Sequence, residues 1–150
     1  MKKTIRIVTL LSVLLILASF TNAKNNETFS LTVKVDGLRN SKGVVQFALY
    51  NKDGTIPDED YKNYFKKQNG KISKTSSSTV FNNLPKGVYA VNVLHDENMD
   101  GKIDKGFILP IEGIGFTNYS AIGLKNRPNF IKASFELLTN TEKHIKIIYL

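Results

Sequence analysis

Apolar and polar residues alternate from Thr28 onward: Phe29, Leu31, Val33 and Val35 share one parity, and Ser30, Thr32, Lys34 and Asp36 share the other. Successive side chains of an extended chain point to opposite faces, so this rhythm predicts a half-buried strand with the apolar row inward. Gly37 and Asn40-Ser41-Lys42-Gly43 read as a turn, and Val44–Tyr50 as a second strand with Val45, Phe47 and Leu49 inward; together they look like a hairpin. Pro57-Asp58-Glu59-Asp60 has the proline and acids of a helix start, and Tyr61, Tyr64 and Phe65 recur at helical spacing before Lys66-Lys67. A short helix over one sheet edge is expected there. Ile72–Val80, rich in Ser and Thr, is expected as an exposed or edge strand. The run Phe81-Asn82-Asn83-Leu84-Pro85-Lys86-Gly87-Val88-Tyr89 places a Pro–Gly turn before Val88–His95, whose two apolar faces mark a central strand. Ile108–Asn118, with alternate glycines and Pro110, is expected as a shaped loop rather than a strand. Ala133, Phe135 and Leu137 alternate again, and His144–Leu150 closes the chain as a last strand. About seven short strands, one short helix and no internal repeat predict an all-β chain, an antiparallel β-sandwich.

The N-terminus follows a different logic. Lys2, Lys3 and Arg6 precede an apolar run from Ile7 to Phe20, and Thr21-Asn22-Ala23 then supplies small residues before polar Lys24. This is the order of a secretory signal peptide. The run is shorter than the roughly 20 residues that span a bilayer, so cleavage after residue 23, rather than stable membrane insertion, is expected. Residues 24–150 then form a single domain, exported to the periplasm or the extracellular medium. Its core has to suffice by itself, since the chain contains no cysteine and therefore no disulfide. Processing removes three basic residues and no acid, so the net charge falls from +8 to +5. The remaining lysines are dispersed, which gives no support to a nucleic-acid partner.

The candidate chemistry lies directly after the central strand. Asp96, Asn98, Asp100 and Asp104 place side-chain oxygens at positions 1, 3, 5 and 9 of a loop, with Gly101 at position 6 and the Lys102 carbonyl at position 7. Calcium takes six to eight oxygen ligands, and this spacing lets a tight loop wrap the ion. The acid expected at position 12 is replaced by Phe107, so the closing ligand would be Glu112, or Glu97 if the loop folds back. Three carboxylates brought to about 5–6 Å repel by roughly 1–3 kcal/mol per pair, a cost that a cation, splaying of the loop, or neighbouring Lys102 and Lys105 would remove. The alternative is an Asx-rich turn whose side chains bond their own backbone.

Catalytic motifs are lacking: no Gly-rich phosphate loop, no nucleophile elbow and no metalloprotease helix. His95 and Asp96 are strand neighbours and point to opposite faces, and His144 reads as a surface residue. Phe116, Tyr119 and Phe130 are aromatic groups of the loop-rich region; they either form a ligand platform or plug the end of the sandwich.

One family shares these features in order. Gly43-Val44-Val45 with Phe47-Ala48-Leu49-Tyr50, Phe81 through Tyr89, His95-Asp96-Glu97-Asn98, Gly101-Lys102-Ile103-Asp104, Pro110-Ile111-Glu112-Gly113 with Gly115-Phe116, and Pro128-Asn129-Phe130 resemble the secreted bacterial family catalogued as domain of unknown function 2141. The resemblance implies a transthyretin-like or immunoglobulin-like sandwich, export and no established activity, and it ties Glu112 to the Asp96 loop as one pattern. Asp100 stands where the family commonly has Asn. The expectation is thus a non-enzymatic accessory or interaction module with a calcium-stabilised loop and a protein or glycan partner. The rival readings are a carbohydrate- or peptide-binding domain using the loop aromatics and, behind it, a small hydrolase.

Overall fold

Strand after strand, the alternating rows sort onto two faces. The computed structural model describes residues 27–107 and 110–150, and the segment expected as a signal peptide lies outside them. In chain order the elements are β1 (Thr28–Asp36), β2 (Val44–Tyr50), β3 (Lys66–Gly70), β4 (Ser76–Pro85), β5 (Gly87–Asp96), β6 (Gly113–Phe116), α1 (Phe130–Ala133), β7 (Phe135–Leu137) and β8 (Thr141–Lys146). One sheet has the order β4-β1-β8; the other has the order β3-β2-β5-β6, with β7 pairing the first residues of β5. This is the expected β-sandwich, with one parallel pair among the described strands, β1 with β8.

Between the sheets lie Leu31, Val33 and Val35 of β1, Val45, Phe47 and Leu49 of β2, and Tyr89, Val91 and Val93 of β5, all buried. These are the rows that the two-residue rhythm picks out, and each large side chain removed from water there contributes about 1.5–3 kcal/mol. Phe29, at the start of the β1 row, is only partly buried against the same core.

The residues of opposite parity form a second core. Ala48 and Tyr50 of β2, Ala90 and Leu94 of β5 and Ile114 and Phe116 of β6 are buried together with Ile56, Tyr61, Tyr119, Phe130 and Ala133. The outer face of the larger sheet is therefore covered over β2, β5 and β6, whereas Lys67 and Asn69 of β3 on that face stay exposed. The connections following β2 and β6 fold over it, which is why β5 is apolar on both sides.

Five local expectations are corrected. β1 and β2 are not a hairpin: β1 pairs antiparallel with β4, and β2 pairs with β3 and β5 in the other sheet. The chain crosses between sheets at Gly37–Gly43, and Gly43 (φ +67) passes so close to the end of β5 that a Cβ would overlap the Asp96 carbonyl. The segment Pro57–Lys67 is not a helix. The Asp58 carboxylate captures the amides of Lys62 (3.0 Å) and Asn63 (2.7 Å), and Tyr61 is left-handed (φ 50), so the backbone closes a turn around an acid instead of continuing a helix. Lys66–Gly70 goes on as β3 along β2. Gly113–Phe116 is a strand, not a loop, because its glycines admit neighbours that a side chain would exclude. A Cβ on Gly113 would lie 2.5 Å from Ile147 Cγ2, and one on Gly115 2.7 Å from Ile145 Cγ2. Finally, Ala133 belongs to α1, capped by Asn129, whose side chain accepts from Lys132 N; the closing strand is Thr141–Lys146 rather than His144–Leu150.

Candidate functional site

The acidic loop starts where β5 ends. Asp96 is the last residue of that strand, paired with Val44 of β2 and 1 % exposed, on the face of the second core. Its Oδ2 accepts from Gly101 N (3.0 Å) and from the Gln46 side-chain amide of the adjacent strand, and its Oδ1 accepts from Asp100 N (3.2 Å). Asn98 Oδ1 accepts from Asp100 N (3.0 Å), and Asp100 Oδ1 accepts from Lys102 N (3.1 Å). Short polar side chains thus close successive turns on amides two to five residues ahead. Met99 (φ 63) and Gly101 (φ 86) take the left-handed conformations that this winding requires. Asn98 Nδ2 donates to Asp104 Oδ2 at 2.9 Å.

Glu112, eight residues past Asp104, comes back beneath the loop. It is 4 % exposed, and its Oε1 and Oε2 accept from Glu97 N (2.9 Å) and Asp104 N (3.1 Å). Burial pushes its carboxyl above the usual range, the Asp96 and Asp104 charges push the same way, and the two amides pull against them. The pattern that joined Glu112 to the Asp96 loop is therefore a physical contact in which Glu112 is a strut. Glu97 faces elsewhere: Arg39 Nε donates to it at 2.7 Å and Asn40 Nδ2 at 3.0 Å. Although partial burial raises its carboxyl, those donors outweigh it and hold Glu97 below its ordinary value.

As placed, the expected calcium ligands are engaged with one another and with the backbone. Among the described residues no group of three or more His, Asp or Glu side chains converges in the way a metal site needs. Lys102 has its ammonium 3.8 Å from Asp100, partly offsetting the local negative charge. The feature that does match a calcium loop is the backbone: Gly101 makes the sharp turn required at position 6.

His95 points to the other side of β5 from Asp96, as strand parity requires. Its ring is fully buried, with Nε2 3.0 Å from the Lys42 carbonyl and Nδ1 2.7 Å from Tyr149 Oη. A carbonyl only accepts, so Nε2 carries the proton and Nδ1 accepts from the tyrosine, whose oxygen in turn accepts from Arg39 N at 3.0 Å. Both ring nitrogens are thereby occupied. Asp58 is likewise enclosed: 3 % exposed, it accepts from Tyr50 Oη (3.0 Å) and from backbone amides of its own turn.

Phe116, Tyr119 and Phe130 are 3, 5 and 8 % exposed, members of the second core rather than a platform facing solvent. Tyr119 also holds the following loop, donating to the Arg127 carbonyl (3.2 Å) and accepting from Asn129 N (3.1 Å).

Two features escaped the sequence. The first is a polar layer inside the second core, comprising Gln46, Asn92 and Tyr61. Gln46 Oε1, both Asn92 amide atoms and Tyr61 Oη are buried without a hydrogen-bond partner. A single Gln within Val44–Tyr50 and a single Asn within Val88–Leu94 are its only trace in the chain. The second is a cleft of about 180 Å³ beside the acidic loop. Ile103, Ile114, Phe116, Ile122 and Leu124 give it apolar walls, and Glu59, Lys105 and Arg127 stand at its edge. Lys105 pairs with Glu59, and Ile103 N donates to the Glu59 carbonyl at 3.1 Å, which ties the loop to the turn built on Asp58.

Residues 33–146 match the family described as an uncharacterized protein conserved in bacteria, domain of unknown function 2141, a span running from within β1 to the end of β8. No curated protein matches the chain, and no solved structure does.

Proposed function

The chain belongs to the domain of unknown function 2141 family, and from the geometry of its site we propose that it acts, after export, as a non-enzymatic accessory module that binds a small ligand in the cleft beside the acidic loop. The cleft carries this reading. Its apolar floor is laid on β6, and its sides are loops held by Glu112, Asp96 and Tyr119 through part-buried hydrogen bonds. Apolar, pre-formed concavities on a rigid scaffold are where small molecules bind. A non-catalytic role is supported by the state of the acid–base groups, since His95, Asp58 and Glu112 each have their polar atoms engaged in structural bonds.

The test is a ¹H–¹⁵N titration of the processed chain with 1-octanol, a neutral apolar probe. Shifts confined to amides around Ile114, Gly123 and Leu124 are expected. Gly123 lines the cleft and a Cβ there meets nothing within 4 Å, so Gly123→Leu adds an apolar side chain at the wall without a clash and should abolish them. Shifts scattered over the surface, or surviving in that variant, would refute a binding cleft.

Calcium in the Asp96–Asp104 loop is the second reading, favoured by the Gly101 turn and by Gln46 Oε1, which lies unpartnered in the side-chain amide that binds Asp96. A native-state ligand raises Tm. Equal melting in EDTA and in millimolar calcium, for both wild type and Asp100→Ala, would dismiss it.

A further inference from the structure

We infer that the cleft takes a small amphiphile with a single negative headgroup, a carboxylate on an apolar body, and that Arg127 holds the headgroup. This rests on the cleft being the binding site, and it adds the chemistry of the ligand.

The charges at the edge of the cleft are unequal. Glu59 and Lys105 form an ion pair and cancel locally. Arg127 lines the same cleft and is exposed, and no carboxylate of the described residues lies within ion-pair distance of its guanidinium. Its main chain is fixed nonetheless, because Tyr119 Oη donates to the Arg127 carbonyl at 3.2 Å. The cleft therefore presents an apolar interior with one uncompensated cation on a fixed backbone at its lip. A planar guanidinium offers paired N–H donors that match the two oxygens of a carboxylate. A lone arginine in open water needs no partner, and position decides the assignment: a ligand whose body displaces water from Ile114, Phe116 and Ile122 brings its end to this group. Size limits the body, since about 180 Å³ is below the 300–1,000 Å³ of drug-sized pockets. Charge limits the head to one negative group, because the second cation at the edge is already paired and Glu59 repels further anions.

Three eight-carbon probes with different heads separate this inference from the reading beneath it. Octanoate, 1-octanol and octylammonium are titrated into the processed chain by calorimetry and by ¹H–¹⁵N shifts, below their aggregation limits. Octanoate should bind one to one, and 1-octanol about tenfold or more weaker, since charged hydrogen bonds are the stronger class. Octylammonium should be weaker than octanoate as well. Arg127→Gln should bring octanoate down to the level of 1-octanol and leave 1-octanol unchanged, with Tm unaltered because the side chain is exposed. Added salt should weaken octanoate alone. Equal affinity for octanoate and 1-octanol at the cleft, or an Arg127→Gln variant that binds octanoate as wild type does, overturns the anionic inference while the cleft reading stands. Failure of all three probes to bind, or binding that persists in Gly123→Leu, overturns both.

Discussion

Replacing Glu112 with alanine asks whether one buried carboxylate holds the acidic loop to the sheet. The side chain accepts from Glu97 N and Asp104 N, the two ends of the loop, at 2.9 and 3.1 Å. Hydrogen bonds to a charged group contribute about 1.5–3 kcal/mol each, so losing both sets an upper figure of roughly 3–6 kcal/mol. Two effects reduce it. Burial and the nearby Asp96 and Asp104 charges disfavour the ionised carboxylate. Glu97 and Asp104 are only half-buried, so water can reach their amides once the side chain is gone. We expect Glu112→Ala to cost about 2–4 kcal/mol, a large part of the 5–15 kcal/mol typical of a domain. Glu112→Gln keeps at most one acceptor and turns an NH₂ toward the other amide, so it should rescue little. Urea melts of the processed chain should show a lower midpoint with an unchanged slope, and hydrogen exchange should speed up at the Glu97 and Asp104 amides in particular. A midpoint loss below about 0.5 kcal/mol, or unaltered protection at those amides, would refute the strut. The pH dependence carries a sign. With the folded carboxyl above its ordinary 4.5, the stability linked to this titration is fully present below 4.5 and is lost as pH rises through the folded value, while the two amide bonds remain to the ionised form, and Glu112→Gln should remove that part of the profile.

Other expectations follow from the same contacts. Gly43→Ala should cost more than about 3 kcal/mol in a urea melt, because it joins a left-handed backbone to an overlap with the Asp96 carbonyl; a loss under 1 kcal/mol would show that the β2–β5 end can yield. Tyr50 and Tyr61 are pushed well above their ordinary 10.0, by burial first, with neighbouring charges (Asp58 beside both, Asp96 and Glu112 near Tyr61) adding to it. Stability is therefore fully present below pH 10 and is lost as pH rises beyond it, so a tyrosinate titration should show part of the absorbance appearing only with unfolding; reversible, complete ionisation of the folded chain would contradict this. The N-terminus of the exported protein, read by mass spectrometry, should be Lys24, whereas a retained Met1 would end the signal-peptide reading.

Much of this architecture is written in the parity of side chains. The rows Leu31–Val35, Val45–Leu49 and Tyr89–Val93 fall inward as their two-residue rhythm demands, since the pleat leaves them no other face. The place of the acidic loop, at the end of a strand apolar on both sides, was legible for the same reason. The self-bonding of its Asx residues was one of two readings the sequence left open, since such side chains reach amides only a few positions away.

Pairing was not legible, because parity says which way a residue points and nothing about which strand lies beside it. β1 lies beside β4 and β8, 40 to 110 residues away in sequence, rather than beside β2. The helix pattern at Pro57–Lys67 lost to Asp58, whose carboxylate is tied from above β2 by Tyr50, a contact no local window contains. Gly113 and Gly115 look like loop breakers in isolation, yet in the fold they are the gaps into which Ile147, Tyr149 and Ile145 pack. The cleft, with Arg127 at its lip, is assembled from segments around residues 59, 103, 114 and 127. Local preference fixes which residues face inward; the apposition of distant segments creates the concave surface, and that apposition exists only once both cores have closed.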